Sequence, residues 1–266
     1  YSDSTLSIQS SEIGQATGGN GTDGNGGDGI YSKNKLTIDG STIKTAQGGT
    51  GKNGGKGILG EATGEAAIEI RNSTIEKAQG GNATATGNGG SGIYSSKGGL
   101  TISGSTIGKW KTDGKTPDTT TGALGGNADA GAQGGYGIYS DGKLFITQNA
   151  AITNAKGCDS KNIGGYGIYS GDLTMGAGSK IGTAQGGSGE YGGRGIYSNK
   201  DLTMEAGSNI GTAQGGDGKS GSGGYGISIN NKLTMEAGSK IGTAQGGDST
   251  GSGSYSNGGD GIHSAK

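Results

Sequence analysis

The sequence predicts an all-β fold, a parallel β-solenoid of about eight rungs with glycine-rich corner loops. Three observations carry that prediction. One phrase recurs along the chain. It places bulky apolar residues in four regular columns. No stretch shows a helical face, in a chain where 68 of 266 residues are Gly.

The recurring phrase is Gly-Ile-Tyr-Ser, a polar turn, Leu-Thr-Ile or Leu-Thr-Met, a small-residue turn, Ser-x-Ile, then Thr-Ala-Gln-Gly-Gly and a glycine-rich loop. Its Gly-Ile pairs begin at Gly29, Gly57, Gly92, Gly137, Gly167, Gly195, Gly226 and Gly261, spaced 28, 35, 45, 30, 28, 31 and 35 residues apart. A fixed repeat of this length is the signature of a stacked architecture.

Four columns follow from aligning the units: Ile30 to Ile262, Leu6 to Leu233, Ile8 to Met235 and Ile13 to Ile241. Four large apolar residues per unit are too few for an independent core. Stacked units make continuous apolar ladders instead. Leu36-Thr37-Ile38 alternates with a period of two, as a half-buried strand does. Interior Gly costs a helix about 1 kcal/mol per site, which argues further against helices. Three short strands per rung are expected: Gly-Ile-Tyr-Ser, Leu-Thr-Ile and Ser-x-Ile. Each pairs in parallel with its copy one rung away, giving a rod roughly 40 Å long at the usual strand spacing.

Length variation is concentrated after the Ala-Gln-Gly position. The longest excursion lies between Ile107 and Gly137 and carries Trp110, Lys111, Lys115 and Pro117; a smaller one spans Glu61 to Ala67. Insertions in a solenoid are expected at corners, projecting without disturbing the stack. The glycine loops admit two readings. They either pack against one another as extended, polyproline-II-like segments, or they are ordinary tight turns with Gly at positive φ.

Composition bounds function. Collagen is excluded, since Gly lacks a strict three-residue period and Pro occurs once. Lys plus Arg (21) balances Asp plus Glu (22), so no nucleic-acid footprint is present, and no apolar run is long enough to insert this segment in a membrane as a helix. The chain is read as one repetitive domain over residues 1–266. It is also read as a piece of a longer protein, because Tyr1 and Ser2 already sit inside a repeat.

The candidate contact residues are Trp110 and the tyrosines alternating with the inward Ile column: Tyr31, Tyr94, Tyr139, Tyr169 and Tyr197. Such a ladder either presents amphipathic rings to sugar or protein, or stacks on itself and braces the rod. Tyr136, Tyr166 and Tyr225 flank the same corner. Thr37, Thr101, Thr174, Thr203 and Thr234 form an outward row, but Glu69 and Phe145 break it, which weakens an ice-binding reading and leaves ordinary strand propensity. Gln47, Gln79, Gln185, Gln214 and Gln245 share a column suited to an amide ladder.

Cofactor and catalytic signals are sparse. Gly18 to Asp23 matches the first six positions of a calcium-binding nonapeptide, but position 25 is Asn where an apolar residue is needed. Asp28, Asp217 and Asp260 sit in similar Gly-Gly-Asp contexts. No cofactor is assigned, and calcium is the metal to test. His263 and Cys158, each the only one of its kind, have no catalytic partners in sequence. The chain is expected not to be an enzyme; a polysaccharide-processing solenoid would need a cluster of acids that the repeat does not show.

The phrases Gly-Gly-Tyr-Gly-Ile-Tyr-Ser, Leu-Thr-Met-Glu-Ala-Gly-Ser and Ile-Gly-Thr-Ala-Gln-Gly-Gly-Asp resemble repeats in the passenger regions of bacterial autotransporters and related surface adhesins. The resemblance spans essentially the whole chain. It implies a right-handed, three-sided β-helix displayed outside the cell, and it carries over no catalytic residues. Glycine-rich phage tail adhesins are similar more distantly. The expected function is an extracellular structural or adhesive rod on, or secreted from, a bacterial cell. Its partners would be host or neighbouring-cell proteins or glycans. The alternative is a filament subunit that self-associates end to end.

Overall fold

The computed structural model describes residues 1–84, 86–128, 132–251 and 256–265. These residues form 22 strands and no helix. The strands pair in parallel, each with its copy one turn along. The chain is a parallel β-solenoid of about eight turns.

Register follows the apolar columns. Ile30, Ile58, Ile93, Ile138, Ile168, Ile196, Ile227 and Ile262 face one another turn by turn. So do the Leu column and the Ile13 to Ile241 column. Between the terminal turns these side chains are buried. In the first and last turns one neighbour is missing, and Met235 and Ile262 are 43% and 46% exposed.

The strands group into two sheets, of twelve and ten strands. Three separate strands per turn were expected, but in four turns the first two merge into one: Ile58–Arg71, Ile93–Ser103, Ile138–Thr147 and Ile168–Met175. The third strand is longer than expected. It runs through Thr-Ala-Gln, as in Thr42–Gln47 and Lys180–Gln185. The reason is a fifth inward column of alanines. Ala46, Ala78, Ala123, Ala155, Ala184 and Ala213 are fully buried. Between the sheets the corner is held by serines: the Ser41 N–H donates to the Ser73 hydroxyl and the Ser73 N–H to the Ser105 hydroxyl, both at 3.0 Å.

The glycine segments resolve in favour of a packed layer. Their hydrogen bonding repeats every three residues, the period of a polyproline-II chain. Gly18 N–H donates along the axis to Gln47 of the next turn, while Gly19 C=O accepts across the layer from Gly27 N–H. The crossing bonds then continue: Gly49 to Gly27, Gly55 to Gly49, Gly81 to Gly55 and Gly90 to Gly81. A single zigzag of backbone bonds therefore threads the rod. A Cβ on Gly81 would lie 1.9 Å from the Gly49 oxygen, and one on Gly90 1.9 Å from the Gly55 oxygen. Neither glycine has room for a side chain, although Cys158 stands in the column of Gly81 two turns on. Glycines at positive φ occur elsewhere, as at the sheet corners Gly40, Gly104, Gly178, Gly207 and Gly238.

Both insertions depart from the projecting-corner expectation. Glu61 to Ala67 stays in the sheet, pairing Thr63 with Lys97 and Gly64 with Gly98 across register shifts. The long excursion opens inside the third strand. Thr106–Ile107 and Gly122–Leu124 are the two halves of that strand, and both pair with Ala151–Lys156 of the next turn. Gly122-Ala123-Leu124 thus occupies the Thr-Ala-Gln place, which its altered sequence concealed.

The layer makes a sharp prediction. Gly90→Ala should lower unfolding stability by about 3 kcal/mol or more, since the backbone cannot yield. Gly14→Ala, whose Cβ would meet nothing within 4 Å, should change it by less than about 1 kcal/mol. Thermal unfolding followed by circular dichroism separates the two.

Candidate functional site: the Trp110 hairpin and its cleft

The chain leaves the second sheet at Gly108 and returns at Gly122, with φ of 90° and 105°. Both need glycine on two counts. The left-handed backbone disfavours a side chain, and a Cβ would collide with Thr153 Oγ1 or the Asn154 carbonyl at 2.2 Å.

Between them the excursion folds as a small hairpin. Lys111 N–H donates to Thr116 C=O at 2.7 Å and Asp118 N–H to Lys109 C=O at 2.9 Å. Trp110 and Pro117 face each other between these bonds. Pro117 therefore occupies a position where no N–H is required. Gly114 N–H closes the turn on Lys111 C=O, with Gly114 at φ 64°. Asp113 caps the turn, accepting from the N–H groups of Lys115 and Thr116 at 2.8 and 2.7 Å and from the Thr116 hydroxyl. These bonds, the hydroxyl first, hold its carboxyl down at about 2. The cap is present above the ordinary aspartate range and is lost only as pH falls through about 2.

The hairpin lies down on the sheet. Asn154, 1% exposed, donates to the Thr119 and Thr121 carbonyls at 3.2 and 3.0 Å. The buried Thr153 hydroxyl donates to Ile107 C=O at 3.1 Å. Lys109 pairs with Glu76 at 2.8 Å. Trp110 and Pro117 rest over Gly182, where a Cβ would approach them to 3.0 and 2.8 Å. Later turns carry Gly-Thr at the places of Thr153-Asn154: Gly182-Thr183, Gly211-Thr212 and Gly242-Thr243. The turn beneath the insertion thus differs from the three that follow it; the earlier turns carry Gly14-Gln15, Lys44-Thr45 and Glu76-Lys77 at these places. Sequence reading singled out Trp110 but missed Thr153, Asn154 and Gly182; the break in Gly-Thr was the available signal.

The docked hairpin walls an open cleft of about 470 Å3 lined by Trp110, Lys115, Asn149, Lys180 and Asn209 among others. A second hollow of about 300 Å3, over Gly182 and Gly211, shares Trp110, Lys115, Lys180 and Asn209. No Asp, Glu, His or Cys lines either.

The tyrosine face is a different object. Tyr94, Tyr139 and Tyr169 stack at 4.3 and 4.6 Å, and Tyr197 follows, tilted, at 5.3 Å. Tyr31 stands apart, stacked on Tyr1 at 4.8 Å, because Leu59 interrupts the column. Tyr136 and Tyr166 brace the stack from the side, and the Arg194 guanidinium sits 4.3 Å from the Tyr197 ring centre. His263 stacks on Tyr225 at 4.4 Å and bonds Asp260 at 2.8 Å. In the stacked run the ring faces are spent on neighbouring rings. Burial raises the phenol pKa of Tyr94, Tyr136, Tyr139 and Tyr169.

The remaining sequence candidates have structural partners. Thr37 is buried, and the other four threonines of its row are half-buried. Gln79 donates to the backbone carbonyl of Gly125 at 2.8 Å, and its column is interrupted by Leu124 and Lys156. Asp28 accepts from Lys56 N–H, and Asp217 from Asp248 N–H. Among the described residues no group of three or more His, Cys, Asp or Glu side chains could hold a metal. Cys158 stands in a glycine column with its thiol 2.9 Å from the Gly125 carbonyl, and burial pushes the thiol pKa up. Among the described residues no helix is long and apolar enough to cross a membrane. Comparison with protein-family models, with curated proteins and with solved structures finds no match to this chain.

Two predictions follow from these contacts. Trp110 is the sole tryptophan, so its fluorescence reports docking. Asn154→Thr should weaken the docked hairpin by about 1–2 kcal/mol through its two lost bonds and shift the emission to the red, leaving the unfolding temperature of the rod almost unchanged. The phenols supply the second. Their folded pKa values lie above the unfolded value near 10, so above about pH 10 the folded state holds protons that the unfolded chain has lost. Stability is therefore intact below that pH and falls as pH rises beyond it. Tyr136→Phe should flatten the fall in denaturant titrations at pH 9 to 11.

Proposed function

We propose that this chain is an extracellular structural and adhesive rod, displayed on or secreted from a bacterial cell. In this reading it contacts host, matrix or neighbouring-cell surfaces through the Trp110 cleft. The carrying observation is the docked hairpin itself. A regular rod carries one large excursion that is closed by two conformationally demanding glycines and bonded by Thr153 and Asn154 of the turn beneath. It leaves an aromatic wall beside lysine and asparagine side chains, with small residues between them. Sites of this volume lie in the usual range for small-ligand recognition, roughly 300–1,000 Å3.

The tyrosine stack has the bracing role in this proposal, since its rings already satisfy one another. The repeat phrases that resemble autotransporter passengers support an extracellular, bacterial setting. Hydrolysis of a polysaccharide would need a pair of carboxyls at the bound sugar, and neither hollow is lined by any.

The test is adhesion. Beads coated with the protein should bind epithelial monolayers or extracellular matrix, and Trp110→Ala should reduce retention under flow at least tenfold. Equal retention of the variant would remove the cleft from the function. Filaments that lengthen with concentration in electron micrographs, without adhesion, would move the function to self-assembly.

A further inference from the structure

Resting on the reading of the cleft as the binding site, we infer that its ligand is an acidic saccharide, carrying a carboxylate or a sulfate. The charges in the cleft that lack a protein counter-charge decide the class of ligand. Five lysines elsewhere on the rod reach a carboxylate: Lys35 to Glu69, Lys44 to Glu12, Lys97 to Glu61, Lys109 to Glu76 and Lys200 to Asp172. These pairs link adjacent turns, whereas other lysines of the described residues, Lys33, Lys52 and Lys77 among them, have no carboxylate partner, so the weight falls on the two that meet at one cleft.

Lys115 and Lys180 have no such partner among the described residues. The neighbours of Lys180 in register are Ala151 and Asn209, neither of them acidic. The acid closest in sequence to Lys115 is Asp113, whose two oxygens are taken by the Lys115 and Thr116 N–H groups and the Thr116 hydroxyl. Glu205, at the corner of the adjoining turn, accepts from the Ala177 N–H at 3.2 Å. Both lysines line both hollows. They form a positive pair on a chain of net charge −1.

The other lining groups fit a sugar ring. A pyranose presents C–H groups on its faces and hydroxyls around its rim. Trp110 supplies an apolar surface of matching size. Asn149 and Asn209 supply amide donors and acceptors for hydroxyls. Ala151 and Gly178 complete the lining with little bulk. Ammonium groups suit a carboxylate or sulfate as point charges without demanding one orientation. A neutral sugar would leave both lysines unmatched, and a cationic or apolar ligand would be opposed by them or would waste the amides.

The experiment is calorimetric titration of the whole chain with three tetrasaccharides: hyaluronan (carboxylate), heparin (sulfate and carboxylate) and cellotetraose (neutral). At least one acidic probe should bind, and at least tenfold more tightly than cellotetraose. Its affinity should fall at least tenfold in Trp110→Ala and in the Lys115→Gln/Lys180→Gln double variant, and weaken as salt rises, since the contact is ionic. Lys200→Gln, outside the cleft, should leave it unchanged. Hyaluronan against heparin separates carboxylate from sulfate recognition. Cellotetraose binding as tightly as the acidic probes, with dependence on Trp110, would overturn the acidic class while keeping the cleft. Acidic binding that ignores Trp110 would overturn both. Absence of binding by either acidic probe at millimolar concentration would also overturn the inference.

Discussion

The close approach of glycine backbones is the constraint on which this molecule depends. Each turn offers few bulky apolar residues, and two sheets do not enclose the chain by themselves. The remaining perimeter is backbone, and buried backbone must satisfy its own hydrogen-bonding groups. It does so by bonding alternately along the axis and across the layer, which requires the segments to pass within a distance that a Cβ would obstruct at the layer glycines, Cys158 being the one residue of another kind among these crossing positions. Glycine pays the largest conformational entropy of any residue for such order. A complete hydrogen-bond network is what offsets it.

That constraint explains where variation is allowed. The layer and the inward columns hold fixed positions, whereas the outward positions of the second sheet accept Glu, Thr, Ala, Lys or Asn in one column. A loop can therefore be added on that face if its exits avoid the layer. Gly108 and Gly122 provide such exits, and the broken strand is spliced by its neighbour at Ala151–Lys156. The cleft follows from a rigid floor and a loop that lies flat on it.

Most of the scaffold was legible because its signals are local and repeated. The Ile and Leu columns, their register and the parallel pairing all follow from aligning the units. The alanine column was not legible, since Ala46 or Ala184 looks like any small turn residue until the strand is seen to run through it. The merging of the first two strands was also hidden, because Ser-Asp-Gly-Lys reads as a turn. At the site, Trp110 stood out by composition alone. Its seat did not, since Gly182 lies about two turns further along the chain and meets Trp110 only through folding. Asn154 could have been found from its departure from Gly-Thr, but its two carbonyl partners at Thr119 and Thr121 could not. The tyrosine ladder was predicted in position, and distance decided its state, because rings at 4.3 to 4.6 Å leave no slot between them.

The smallest complete turn, 28 residues, acts as a unit of length. Each copy advances the chain by one strand spacing, about 4.8 Å, and leaves the outline of the rod unchanged. Duplicating or deleting one such copy in a gene would slide the hairpin along the axis by that increment and alter no contact within the cleft. The separation between the cleft and anything else carried on the rod is therefore quantised. Reach would be tuned by counting turns, separately from affinity, which is set by side chains.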